Sequence, residues 1–149
     1  MEARTVRDKI VCSGALIYST ETKRVLLLQK AHGKNQGTWG LVGGTNEPNE
    51  SVWQGLQREI KEEIGFFPEI IKTFPIESFM SNDKVFNFYT YLCIVEKEFI
   101  PTLSLEHCGW AWSTIDNAPR PLHQGLRNSF SNKIIRTKIQ TIFELIQLL

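Results

Sequence analysis

The chain is short of several things, and each shortage narrows what it can be. Only three cysteines occur in 149 residues, Cys12, Cys93 and Cys108. Their spacing is neither paired nor metal-like, so neither a disulfide framework nor a zinc site is suggested. Charge of one sign is lacking too: 17 Lys and Arg stand against 16 Asp and Glu, a net charge of +1. That balance implies no global attraction to nucleic acid or to an anionic membrane. No segment is apolar for long enough to span a bilayer, and the start, Met1-Glu2-Ala3-Arg4-Thr5-Val6-Arg7-Asp8-Lys9, has no signal-like apolar run. A cytoplasmic protein without a membrane partner is the expectation. Internal repeats, low-complexity tracts and flexible linkers are also missing. What is present is 42% hydrophobic content, enough to fill one core at this length. Residues 1–149 are expected to form one domain.

Local patterning predicts strands mixed with two helices. Residues 9–18, rich in valine, isoleucine and small residues, read as a strand, and residues 24–30 as a second after a turn at 19–23. A polar loop at 32–36 leads into a short strand at 39–42 that ends at Gly43-Gly44. Residues 69–79 read as extended, 81–84 as a turn, 85–95 as a long aromatic and β-branched strand, and 110–112 as another. Residues 132–149 carry apolar positions at helical spacing and predict an amphipathic C-terminal helix. Pro119 to Arg127 reads as a rigid basic loop, bordering a pocket or merely connecting to the last helix. The fold class is α/β or α+β on these grounds alone.

The most informative segment is Gly44 to Phe66. Gly44 is followed after five residues by Glu50, then after seven by Arg58-Glu59-Ile60-Lys61-Glu62-Glu63-Ile64-Gly65-Phe66. On a helix, Glu59, Glu62 and Glu63 project from one side within about a turn. Three ionised carboxylates that close repel one another, and a divalent cation with hard oxygen ligands, Mg2+ or Mn2+, removes the penalty. A solvated acidic face is the plain alternative. Val52, Leu56, Ile60 and Ile64 recur every four residues and form a separate apolar stripe. Ser51 with Gln54 looks like a capping box, and Gly65 with Pro68 beyond gives a helix stop. Gly55 forgoes about 1 kcal/mol of helix propensity relative to alanine, for which close packing against a strand is the expected reason.

This segment resembles the Nudix box, G-x5-E-x7-R-E-U-x-E-E-x-G-U with U a bulky aliphatic residue, and departs from it only where Phe66 stands at the last U. The resemblance implies an α/β/α sandwich with a mixed sheet, a helix carrying the box and a C-terminal helix. It also implies metal-dependent hydrolysis of a phosphoanhydride in a nucleoside diphosphate linked to another moiety. Glu59 and Glu63 are then the primary metal ligands, with the Gly44 carbonyl a further candidate. Glu50 either ligates another metal or braces Arg58, and Arg58 orients a box carboxylate. Glu62 is an extra ligand or a local base. Relatives often take another carboxylate from a later loop, and Glu106, just before Trp110-Ala111-Trp112, is the candidate here; a flexible loop would swing it over bound phosphate. His107 beside it reads as an incidental loop histidine.

Substrate recognition leaves fewer marks. Bases need an aromatic face, and Trp39, Phe88 and Trp110 are candidates, although strand aromatics are usually core. Lys30 stands where relatives place cations that meet phosphate. A small-molecule nucleotide substrate is expected, and a homodimer is one possible assembly. Two other readings stay open: a nucleotide-binding module that does not cleave, against which the intact carboxylates argue, and an RNA 5′-end pyrophosphohydrolase, against which the neutral charge argues.

Overall fold

The computed structural model describes residues 9–149; the start read above for a signal peptide, Met1–Asp8, lies outside the described residues. In chain order the elements are β1 (Ile10–Ser19), β2 (Arg24–Lys30), β3 (Trp39–Gly40), β4 (Val42–Thr45), α1 (Val52–Ile64), β5 (Lys72–Met80), β6 (Phe86–Val95), β7 (His107–Ser113), α2 (Gln124–Ser131) and α3 (Lys133–Gln147). The strands make one mixed seven-stranded sheet. β1 pairs in parallel with β6 along its whole length, from Ile10 opposite Phe86 to Ser19 opposite Val95. Its other flank is divided: Cys12 to Ala15 pair with β4, and Ile17 to Ser19 with β2. β2 continues outward to β3 and β7.

Strand alternation sends side chains to two faces, and each face has its own core. Ala15, Ile17, Leu26, Leu28, Cys93 and Trp112 pack under Leu56, Ile60 and Ile64 of α1. Leu16, Tyr18, Val25, Leu27, Leu92 and Ile94 pack against Leu126 and Phe130 of α2 and Ile139 of α3. The sheet therefore lies between α1 on one side and α2 with α3 on the other, the α/β/α sandwich expected.

α1 forms where its signals predict. The Ser51 side chain accepts from the Gln54 amide while Gln54 reaches back to the Ser51 amide, and Gly65 takes the left-handed conformation that ends the helix. Leu56, Ile60 and Ile64 are fully buried, contributing roughly 1.5–3 kcal/mol each. The neighbour that excludes a side chain at Gly55 is not a strand, as expected, but Asn46 in the preceding loop. Asn46 Nδ2 donates to the carbonyls of Glu50 and Ser51, tying the loop to the helix start.

Two expectations are corrected on the other side. Pro119 to Arg127 is not wholly a loop: α2 begins at Gln124, with the His123 side chain accepting from the Gly125 amide. Strand β7 starts at His107, three residues before the expected Trp110. Among the described residues, no helix is long and apolar enough to cross a membrane.

Candidate active site

β4 and α1 bring the first part of the site together. A Cβ on Gly44 would lie 2.5 Å from the Glu59 carboxyl carbon, so only glycine lets that carboxylate rest on the strand backbone. The Gly43 amide donates to Glu63 Oε1 at 2.7 Å, tethering the last box glutamate to the same strand. Glu63 is only 3% exposed. Burial, reinforced by the neighbouring charges of Glu59 and Glu106, pushes its pKa up to about 8, against the opposing pull of the Gly43 amide. Burial also raises the pKa of Glu59, although Arg58 opposes the shift.

Arg58 forms a different knot beside it. Its Nε donates to Glu50 Oε2 at 2.8 Å and its Nη2 to Glu50 Oε1 at 3.1 Å, a two-pronged grip. Nη1 reaches Glu59 and Glu62, and Nη2 also donates to the Thr45 carbonyl. Both Glu50 oxygens are thus engaged, one of them also by the Glu47 amide, and the guanidinium holds the Glu50 pKa below the usual carboxylate range. Of the two roles open to Glu50, bracing Arg58 is the one this geometry favours over metal ligation. Arg58 thus ties Glu50, Glu59, Glu62 and the β4 backbone together. Glu62 turns to Arg58 and is 56% exposed.

The far wall comes from β7. The Glu106 carbonyl accepts from the Ala31 amide, and the Glu106 amide donates to Ser104 Oγ. It therefore sits in a hydrogen-bonded turn at the start of β7. Its carboxylate, one from Glu63 and a ring nitrogen of His107 lie within 4.8 Å of one another. His107 is the residue that sequence reasoning undervalued. Simple alternation from Trp112 through Trp110 would aim Cys108 at the α1 face and His107 away from it. The ladder instead runs Leu28 opposite Trp110, Gln29 opposite Gly109, then Lys30 opposite His107, with Cys108 bulged out. That bulge turns His107 onto the α1 face, beside Glu63. Its side chain is 11% exposed, and Nδ1 lies 3.5 Å from Glu63 Oε2. Burial lowers its pKa, and the charge of Lys30 adds to the effect while Glu106 opposes it.

The four substrate candidates divide between the faces. Lys30 and Trp110 pair across the ladder with His107 and Leu28, and so lie on the α1 face with the carboxylates; Trp110 is 38% exposed. Trp39 and Phe88 do not. Trp39, opposite Gln29, packs against the second core, and its ring fills the space that a side chain at Gly109 would need. Phe88 reaches under Gly14 beside Leu41, where a Cβ on Gly14 would sit 3.0 Å from either ring or leucine methyl. Register places both on the α2–α3 side, away from the face that carries the candidate metal ligands.

The donor set itself fits a divalent cation. Three carboxylates converge, one almost fully buried, and of the three Arg58 pairs with Glu59. The NUDIX domain family matches residues 9–133. The chain belongs to the Nudix family. Dihydroneopterin triphosphate diphosphatase of Haemophilus influenzae is 30% identical over 118 residues, covering 69% of this Nudix chain and 73% of the relative. The 8-oxo-dGDP phosphatase of Mus musculus is 37% identical over 70 residues, covering 46% of this chain and 22% of its own length. The chain thus spans under a quarter of that longer relative. Among solved structures, the NUDIX domain of Shewanella oneidensis NrtR, complexed with ADP-ribose, superposes with a TM-score of 0.69 at 16% identity, covering 93% of this chain and 94% of that one. A C. elegans Ap4A hydrolase gives 0.67 at 22%, covering 88% and 97%. These two likenesses establish the fold.

Proposed function

We propose that this Nudix chain, as one cytoplasmic domain, hydrolyses a phosphoanhydride in a nucleoside diphosphate linked to another moiety, using Mg2+ or Mn2+. The observation that carries the reading is the convergence of Glu59 and Glu106 on the buried carboxylate of Glu63. Glu59, Glu63 and the Gly44 carbonyl would hold the cation. When bound, it neutralises phosphate charge and lowers the pKa of a coordinated water. The rest is the chain's own work. Arg58 keeps Glu59 in place through its grip on Glu50 and its bond to Glu59. Glu106, acceptor-only when ionised, would take a proton from the attacking water. Lys30 offers positive charge to substrate phosphate, and the half-open Trp110 ring offers a face to a base.

The test is a panel of nucleotides with either metal, reading released phosphate and nucleotide products by chromatography. The panel takes in 8-oxo-dGDP, dihydroneopterin triphosphate, Ap4A and ADP-ribose, together with 5′-triphosphorylated RNA. Turnover that chelator abolishes and metal restores is the expected result. Robust turnover in excess chelator, or none on any substrate with either metal, overturns the reading.

A further inference from the structure

We propose that Nδ1 of His107 is itself a metal ligand, setting an imidazole nitrogen beside Glu63 and Glu106 and making the site prefer a first-row transition-metal cation to Mg2+. The inference rests on the metal-site reading above and adds to it a donor from outside the box.

Three observations carry it. First, His107 Nδ1 is fully buried and has no hydrogen-bond partner. A buried polar atom left unpaired costs about 1–3 kcal/mol, so it calls for a partner the protein does not supply. Second, its 3.5 Å separation from Glu63 Oε2 is too long for a hydrogen bond. Two donors each about 2.1 Å from a shared ion stand about 3.0–3.5 Å apart, depending on the angle they subtend. The Glu106 carboxylate falls within the same small volume. Third, the aim is built in. The β7 bulge turns the ring toward Glu63 against the strand's alternation, and the Ala31 amide to Glu106 carbonyl bond fixes the adjoining backbone. Coordination through Nδ1 leaves the ring proton on Nε2, the neutral form that ligation requires.

The consequence is selectivity. Mg2+ prefers oxygen donors and gains little from imidazole, whereas Co2+ and Zn2+ gain from it. The test titrates Co2+ and, separately, Mg2+ into the full-length, chelator-stripped protein by calorimetry. It compares wild type with His107→Ala and with Glu63→Gln. The variant lacking the imidazole should lose about tenfold or more in Co2+ affinity and less than about threefold for Mg2+. Proton NMR of the Co2+-loaded wild type should also show a strongly shifted, exchangeable imidazole N–H, a readout independent of how the variant folds. Equal weakening for both metals, or no shifted imidazole proton, overturns His107 as a ligand while leaving the carboxylate site intact. Failure of wild type to bind either metal at one site, or undiminished binding by Glu63→Gln, overturns the metal-site reading and the His107 proposal with it.

Discussion

The carboxylates on α1 and just before it are the same residue type, yet the protein finishes one set and not the other. Glu50 and Glu62 meet Arg58, whose donors are spread over them, Glu59 and the Thr45 carbonyl. Glu63 accepts from the Gly43 amide, an uncharged donor, and faces Glu59, Glu106 and the His107 ring. Most of Glu62 is in water; Glu63 is almost wholly out of it. The contrast teaches that an acidic run is not a uniform surface. A guanidinium completes one flank as structure, and the other crowds its carboxyl groups with Glu63 out of water, an arrangement that protonation or a bound cation relieves.

The strongest way to break that comparison is to remove one carboxylate from each flank. Glu59→Gln and Glu63→Gln should each lower turnover about 10²-fold or more, whereas Glu62→Gln, engaged only with Arg58, should fall much less. Steady-state kinetics at saturating metal reads the difference. Equal losses at Glu62 and Glu63 would erase the distinction. Next in size is Glu106→Gln, for which we expect a loss of about 10–10²-fold in kcat with KM little changed. A change confined to KM would make Glu106 a substrate contact rather than a proton acceptor.

On the Arg58 flank the effect should be on stability first. Arg58→Ala strips several charge-assisted hydrogen bonds at once and should cost about 1–3 kcal/mol, read by urea unfolding of the metal-free protein. Arg58→Lys should recover only part, because an ammonium cannot reproduce the two-pronged grip on Glu50. Full recovery would mean that charge alone matters there.

Glu63 also gives a pH slope with a definite sign. The Glu63 pKa is raised to about 8 in the folded, metal-free protein, above about 4.3 in an unfolded chain. Between those values the folded state holds a proton that the unfolded state has lost. Stability from this group is thus complete below the lower value and drains away as pH rises through the upper one. The slope is at most about 1.4 kcal/mol per pH unit. Unfolding the metal-free wild type and Glu63→Gln from pH 5 to 8.5 isolates it: wild type should weaken relative to the variant as pH rises. Parallel curves would show that Glu63 ionises normally.

Much of this fold is legible locally. Ser51, Gln54 and Gly65 bracket α1, the four-residue apolar stripe orients it, and Asn132 caps α3 close to where the pattern predicts. α2 is not legible, because Gln124-Gly125-Leu126-Arg127-Asn128-Ser129-Phe130-Ser131 has weak helix formers and only Leu126 and Phe130 to bury. Its helix is a tertiary product, formed by packing against the sheet. Glu106 could be suspected from its place before the tryptophans. The burial of His107 could not, since it depends on a register slip opposite Lys30, a partner 77 positions away in the chain. Nor does composition tell Trp110 from Trp39; only the strand pairing puts them on opposite faces.

The bond from the Gly43 amide to Glu63 has a further consequence, for observation rather than chemistry. It joins a sheet amide to a helix side chain, so it breaks only when α1 and β4 part or when that carboxylate turns away. Gly43 therefore carries a reporter proton: its hydrogen–deuterium exchange rate measures how often the pocket comes apart, without substrate or label. Slowing of that one amide on adding cation, against unchanged amides in α3, would time the local breathing of the site separately from unfolding of the whole chain.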